Sequence, residues 1–392
     1  GKHPLEPNAL GAEMKRRLAI AFPGQERGYD AYMRREGIRF KRMLPCLQKH
    51  YSTAATMLSS DLLKALPVLS VGRSLYSVLG NYFEPEKLRL AFTFQSKYLG
   101  MSPWECPGAF AILIYVEHAF GVYHVMGGLS RISQGLAEAA ARCGATLRLN
   151  APVRRVLLNR RAAVGVELQS GERIMADEVV VNADFGHAMT RLFPAAALRK
   201  YSPPQLEGRR FSCSTFMLYL GLDRIYSLPH HAVFFARDYR GNIGDIFSGG
   251  RLSADCSFYV RNASITDPHL APEGHSAVYV LVPVPNRFAP VDWASERGPF
   301  RARILRVLAE RAGMENVESH IRAEEVITPL DWEERYAVYK GATFNLAHTL
   351  GQMLYLRPRN KFEEFDRCYL VGGGTHPGSG LPTIFESGRI AA

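Results

Sequence analysis

The segment Tyr369–Ala392, YLVGGGTHPGSGLPTIFESGRIAA, constrains this chain more than any other. An apolar run ends at Gly372, and Gly373, Gly374, Gly378 and Gly380 follow within a few residues. Pro382 then stands where the first turn of a helix begins. Glycines let the backbone approach a neighbour closely and bare successive N–H groups, and a helix N-terminus adds a positive partial charge. A strand–helix turn alone needs one or two glycines, so this density points to a ligand, either a phosphate or an electron-rich ring edge. Gly372, Gly374 and Gly378 superficially match a dinucleotide fingerprint. That fingerprint requires a following strand and an acidic residue about 20 positions on, and neither is present. His376, inside the loop, either touches the ligand or caps the turn.

At 392 residues and 43.8 kDa the chain exceeds what one hydrophobic core usually supports, and two closely associated domains are expected. A hydrophobic fraction of 47% with 22% charged residues excludes disorder and fibrous repeats. The formal charge of +11 favours anionic partners: nucleic acid, phosphate-bearing ligands or an anionic membrane. The basic pairs Arg34-Arg35, Arg154-Arg155, Arg160-Arg161 and Arg209-Arg210 are scattered and do not interleave with aromatics. Nucleic acid is therefore not expected. The six cysteines are far apart and form no CxxC pair, which argues against a disulfide framework or zinc cluster and fits a reducing compartment. No stretch approaches the roughly 18 apolar residues of a spanning helix. GKHPLEP lacks a signal pattern, the first methionine is Met14, and GRIAA stops inside a helical pattern, so an excerpt of a longer protein is expected.

Residues 9–120 read as helical, including Ala9–Phe22, Gln25–Lys49, an apolar tract Met57–Leu79 broken at Pro67, and Ala109–Ala119. Asp61 and Lys64 lie three apart on one helical face of that tract, either a solvated ion pair or an acid/base pair at a lipid tunnel. Gly127-Gly128 precede a helix, Ser130–Cys143, with Gly144 placed to cap it. Strands are expected at Thr146–Leu149, Val153–Leu158, Val164–Gln169 and Glu178–Val181, with Ser170-Gly171 as a hairpin turn. The run EVVVNAD has the continuous apolar character of a strand buried on both faces. This succession is that of an α/β nucleotide-binding domain, in which Val153 and EVVVNAD suit contact with an adenine. Further strands are expected at Ser214–Leu222, Ala232–Ala236, Ser257–Arg261, Ala277–Val284 and Ile321–Ile327, with a helix at Ser295–Ala312. His230 and His231 are adjacent, and on a strand they would point to opposite faces and could not chelate together. His124 and His348 read as ordinary polar or core histidines.

GGGTHPGSGLP resembles the C-terminal flavin motif of bacterial-type phytoene desaturases, within the flavin-containing amine oxidases. The resemblance extends to LRLAFTFQSKYLGMSPWECP, FSCSTFMLYLGLD, SFYVRNASITDPHLAPEGHSAVYVLVPVPN and GATFNLAHTLGQMLYLRPRN, and so covers essentially the whole chain. It implies an α/β fold: an FAD-binding Rossmann-like domain, incomplete here, a β-sheet substrate domain and a helical membrane-associating cap. The expected division is 1–120 for the cap and part of the substrate domain, 121–190 and 366–392 for the FAD-binding domain, and 191–365 for the substrate domain. It implies non-covalent FAD, a carotenoid or polyprenoid lipid substrate, and a cytoplasmic enzyme peripheral on the inner membrane. Gly373, Gly374 and Thr375 would lie at the ribityl–phosphate portion, Gly380, Leu381, Pro382 and Thr383 beneath the isoalloxazine, Val153 near adenine, and Gly127-Gly128 close to the flavin, with His376 a further candidate for the cofactor within the loop. Asp61 and Lys64 would be the acidic and basic residues of the tunnel, where the family often has Arg at the second position. The implied reaction is desaturation of phytoene or diapophytoene by hydride transfer to flavin. Alternatives are a carotenoid isomerase, a polyisoprenoid saturase or a carotene oxidase, and, in another class, a cofactor-free lipid-binding or scaffold protein. Two departures stand out. Val125 replaces the proline that usually opens Pro-x-Gly-Gly, and no strand–GxGxxG–helix occurs, so this stretch alone is expected to bind FAD poorly and to be inactive.

Overall fold

Helical spacing dominates the first 120 residues of the computed structural model, which describes residues 7–392. The N-terminal segment 1–6, read above for a signal pattern, lies outside the described residues. Helices occupy Pro7–Ala21, Glu26–Leu47, Ser60–Ala65, Leu75–Leu79, Glu86–Ala91 and Ile112–Phe120, and Pro67 breaks the apolar tract as its ring requires. Ten strands follow among the described residues: β1 (Val153–Asn159), β2 (Ala162–Leu168), β3 (Arg173–Met175), β4 (Val179–Val181), β5 (Ser214–Leu222), β6 (His231–Phe234), β7 (Phe258–Asn262), β8 (Ser276–Val284), β9 (Ile321–Ile327) and β10 (Cys368–Leu370). Thr146–Leu149, expected as a strand, joins no ladder. Its Leu147 and Leu149 alternate with Thr146 and Arg148 but are 55% and 86% exposed, so no buried face holds the segment to a partner.

The chain divides into two units, each assembled from separated segments. The first comprises the region through Tyr123, Pro152–Ser212 and Phe344–Ala392. Its helices pack around Tyr29, Tyr32, Leu75, Leu79, Phe83 and Phe92. Within them Glu36 and Arg39 form a wholly buried ion pair at 2.6 Å. Arg39 also donates to the Val68 and Gly108 carbonyls and to Ser70 Oγ, which fixes the backbone after Pro67. Desolvation outweighs the arginine and pushes the Glu36 carboxyl up to about 7. The strands β1–β2–β3 form an antiparallel meander, with Ser170-Gly171 turning β2 into β3. The Ala163 N–H donates to the Asp366 carbonyl, tying this meander to the chain that leads into β10. β10 pairs in parallel with β4, Tyr369 against Val180, and continues directly into the glycine loop.

The second unit comprises His124–Ala151 and Cys213–Thr343. Its sheet runs β6-β7-β8-β5-β9, all antiparallel. β5 and β8 are in register along nine residues, from Ser214 opposite Val284 to Leu222 opposite Ser276. Alternation divides the faces. Phe216, Leu218, Leu220, Val278, Val280 and Val282 enter the core with Phe300, Ile304 and Leu308 of the Trp293–Ala312 helix. Met217, Tyr219, Gly221 and Tyr279 lie along a cleft of about 680 Å³. The helix Ser130–Arg142 ends as anticipated, with Gly144 left-handed at φ +89°.

Candidate active site

Strand β10 delivers the chain into the loop Val371–Gly380, and the helix Leu381–Ala391 begins immediately after it. Two buried side chains hold the loop from behind. Arg357, 0% exposed, donates from Nε to the Thr375 carbonyl at 2.9 Å and from Nη2 to the Gly373 carbonyl at 2.7 Å. It also reaches the carbonyls of Gln352 and Leu346. Asn360 Nδ2 donates to the carbonyls of Leu370, His376 and Ser387, joining strand, loop and helix. His348 accepts the Ser379 N–H at Nε2 (3.1 Å) and donates from Nδ1 to the Leu99 carbonyl. Burial keeps this imidazole neutral by driving its pKa well below 6.5.

The glycines serve a more local purpose than ligand approach. A Cβ on Gly374 would sit 2.3 Å from Phe185 Cβ and 2.7 Å from Asn345 Oδ1, and one on Gly378 would sit 2.4 Å from His348 Nε2. These two positions lack side chains because the protein's own atoms occupy the space. Gly380 differs: its Cβ would meet only Thr383 Oγ1, at 3.6 Å. Gly380, Leu381 and Pro382 are exposed, leaving the start of the helix open. The Gly373 and Gly374 N–H groups have no partner among the described residues. Thr375 Oγ1 donates to the Gly372 carbonyl, and Thr383 Oγ1 to that of Ser379. His376 is buried edge-on against Tyr51, ring centroids 4.9 Å apart, and desolvation lowers its pKa to about 4.

Val153 lies in the same unit, half-exposed at the start of β1. Asp61 and Lys64 are there too, on the Ser60–Ala65 helix capped by Ser59. Asp61 pairs with Lys49, not with Lys64, and that ammonium holds its carboxyl below the usual range. Leu62 and Ala65 of this helix face an apolar cavity of about 510 Å³, whose other walls include Met43, Met101, Trp104, Phe110 and Met353. The charged residues lining that cavity are instead Arg73, Glu105 and Arg210, the last two paired at 2.7 Å. Glu105 lies in LRLAFTFQSKYLGMSPWECP and Arg210 in the basic pair Arg209-Arg210, but nothing in either stretch marks them as partners, so sequence reasoning missed the pair.

Gly127 and Gly128 belong to the second unit, as a turn closed by the Gly128 N–H on the Val125 carbonyl at 2.9 Å. Both glycines are left-handed, φ +81° and +91°. A buried carboxylate holds this turn: Asp267 Oδ2 accepts the Gly127 N–H at 2.6 Å and His124 Nε2–H at 3.0 Å. Arg261 donates to His124 Nδ1 at 2.9 Å, which sets the tautomer. Asp267 sits within SITDPHLAPEG, a stretch without periodicity, and was not anticipated. His230 and His231 correct another expectation. β6 starts only at His231, so strand alternation does not separate them, and their rings stand 4.3 Å apart. Burial and the neighbouring cations lower the pKa of His230 to about 4. No metal-binding cluster occurs among the described residues.

A profile of the flavin-containing amine oxidoreductases matches residues 44–392. A 4,4'-diapophytoene desaturase (4,4'-diapolycopene-forming) of Methylomonas is 52% identical over 97% of this chain and 74% of its own length. The chain belongs to the flavin-containing amine oxidoreductases. Further members include an all-trans-zeta-carotene desaturase of Myxococcus xanthus, 43% identical over 82% of this chain, of which the chain spans 61%. A zeta-carotene-forming phytoene desaturase of the same organism is 36% identical over 97% of the chain and 73% of its own length. Among solved structures, an oxidoreductase from Methanosarcina mazei shares the fold (TM-score 0.56, 18% identity, covering 86% of this chain and 73% of that one). So does a putrescine oxidase redesigned at its cofactor site (TM-score 0.51, 14% identity, 94% and 76%). As a member of this family the protein is an FAD-dependent oxidoreductase. The loop fits that cofactor: unpaired N–H groups at Gly373 and Gly374, an open helix start at Gly380–Pro382, and a buried cation behind them.

Proposed function

We propose that this protein desaturates a long acyclic polyene precursor, phytoene-like or diapophytoene-like. The observation that carries this reading is the 52% identity to a diapophytoene desaturase across 97% of the chain. FAD, when bound, supplies the acceptor for a hydride from an allylic carbon. A proton leaves the neighbouring carbon, and the two C–H bonds give way to one C=C. The chain's own task is to hold an apolar substrate away from water and to take that proton. The apolar cavity between Met43, Leu62, Trp104 and Met353 suits the first task. For the second, the candidates beside it are Asp61, held ionised by Lys49, and Glu105, paired with Arg210. Gly373, Gly374, Thr375 and the Gly380–Thr383 turn are proposed to hold the cofactor, with Val153 at its adenine; Gly127-Gly128, fixed by Asp267 within the other unit, is proposed separately as a cofactor-binding turn.

The segment bordering the cavity supports peripheral association with the cytoplasmic face of the inner membrane. Leu58 and Val71 are 75% and 67% exposed, Leu63 and Leu66 about half so, and Lys49, Lys64 and Arg73 accompany them. Exposed leucines beside cations suit an anionic bilayer, from which such a substrate would come. No described helix is long and apolar enough to cross a membrane. The test is to supply FAD-loaded protein with a C30 or C40 precursor in liposomes and follow products by chromatography and absorbance. Unchanged precursor together with a flavin that stays oxidised under anaerobic conditions would sink the reading.

A further inference from the structure

Arg357 is a buried charge without a counter-charge. Its side chain has no exposure, and among the described residues no carboxylate pairs with it; its partners are the carbonyls of Leu346, Gln352, Gly373 and Thr375. Burial lowers its pKa to about 9, which leaves it a cation at neutral pH. Taking a guanidinium out of water costs several kcal/mol, on the order that a well-placed anion would offset. Carbonyl dipoles satisfy its donors and do not cancel its charge. Arg39, the other fully buried arginine, has Glu36 beside it. The contrast shows what Arg357 lacks. Two of its four carbonyl partners are in the glycine loop, so its charge stands directly behind the backbone whose Gly373 and Gly374 N–H groups have no partner among the described residues. The open helix start at Gly380–Pro382 adds a dipole of the same sign.

We propose that Arg357 is an electrostatic positioning residue: a fixed positive charge behind the loop that favours the electron-rich, reduced form of the bound flavin and raises its reduction potential. This role rests on the FAD assignment. A hydride brings the ring two electrons and one proton, hence one net negative charge, and a preorganised cation in a low-dielectric setting stabilises that charge without reorganisation.

The experiment is an anaerobic titration of the FAD-loaded protein against a dye of known potential. The wild-type flavin should be easier to reduce than free FAD in the same buffer. Arg357→Met should lower the reduced-to-oxidised ratio at a fixed dye potential at least tenfold, or 29.6 mV for a two-electron couple. Arg357→Lys, which retains the charge, should keep most of the wild-type value. A wild-type potential at or below that of free FAD overturns the role without any variant. Arg357→Met flavin titrating with the wild-type potential overturns it equally. Protein that takes up no FAD at all would overturn the cofactor assignment itself, and this role with it.

Discussion

Asp267 fixes a turn that glycine alone leaves loose. Left-handed Gly127 and Gly128 carry the conformational freedom of two glycines, and two hydrogen bonds to one buried oxygen restrict it. Asp267→Ala removes both and leaves the His124 Nε2–H and the Gly127 N–H unpaired. The expected cost is ~1–3 kcal/mol of stability, from the usual value of a charge-assisted bond and the penalty of its orphaned partners. Thermal melts beside Asp267→Asn, which keeps one acceptor, would measure it. Gly374 is the second test at this scale. Any side chain there collides with Phe185 and Asn345, so Gly374→Val should displace the loop and reduce flavin content several-fold. Absorbance of the purified protein near 450 nm, on the order expected for oxidised flavin, reports the outcome. Normal flavin content in that variant would show the loop to be uninvolved.

Among the elements, the long strands were legible in the sequence and the contacts between loops were not. β5 and β9 occupy the residues expected of them: STFMLYLGL is apolar almost throughout, and IRAEEVI, charged at Arg322, Glu324 and Glu325, keeps apolar residues at its two ends. The strand–loop–helix at the carboxyl end was equally plain. Its physical reason was not, since Gly374 and Gly378 answer to Phe185, Asn345 and His348, which lie far away in sequence. The bond from Gly127 to Asp267 spans 140 residues and leaves no periodic trace. Arg357 looked like one more scattered cation in YLRPRN. Core packing allows a direct test of the sheet: Phe216, wholly buried against Trp293 and Phe300, should cost about 3–5 kcal/mol as Phe216→Ala. The loop's histidines predict an acid sensitivity. His376, lowered to about 4, and His348, held well below the ordinary range by burial, stay neutral when folded, whereas the unfolded chain protonates near 6.5. Their stabilisation is complete above pH 6.5 and is lost as pH falls toward 4, up to about 3 kcal/mol for His376. Glu36, raised to about 7, acts in the opposite sense between 4.5 and 7. The check is therefore the difference between wild type and His376→Gln: the variant should lose less stability between pH 7 and pH 5.

At the scale of the whole molecule, the exposed leucines of the apolar segment 57–74 should govern access to lipid. Replacing Leu58, Leu63 and Leu66 with serine should weaken sedimentation with anionic liposomes several-fold while leaving flavin content unchanged. Equal sedimentation would move the docking surface elsewhere. The parallel pairing of β4 with β10 has its own consequence for how such a protein is made. Val179–Val181 leaves the ribosome long before Cys368–Leu370, and at ~5–20 residues per second the delay is on the order of ten seconds or more. Throughout that time a strand of three valines lacks the partner strand with which it pairs, and the cradle it helps to build does not exist. Loading of the prosthetic group into this cradle must follow synthesis of both strands, since the cradle forms only when the two distant strands meet.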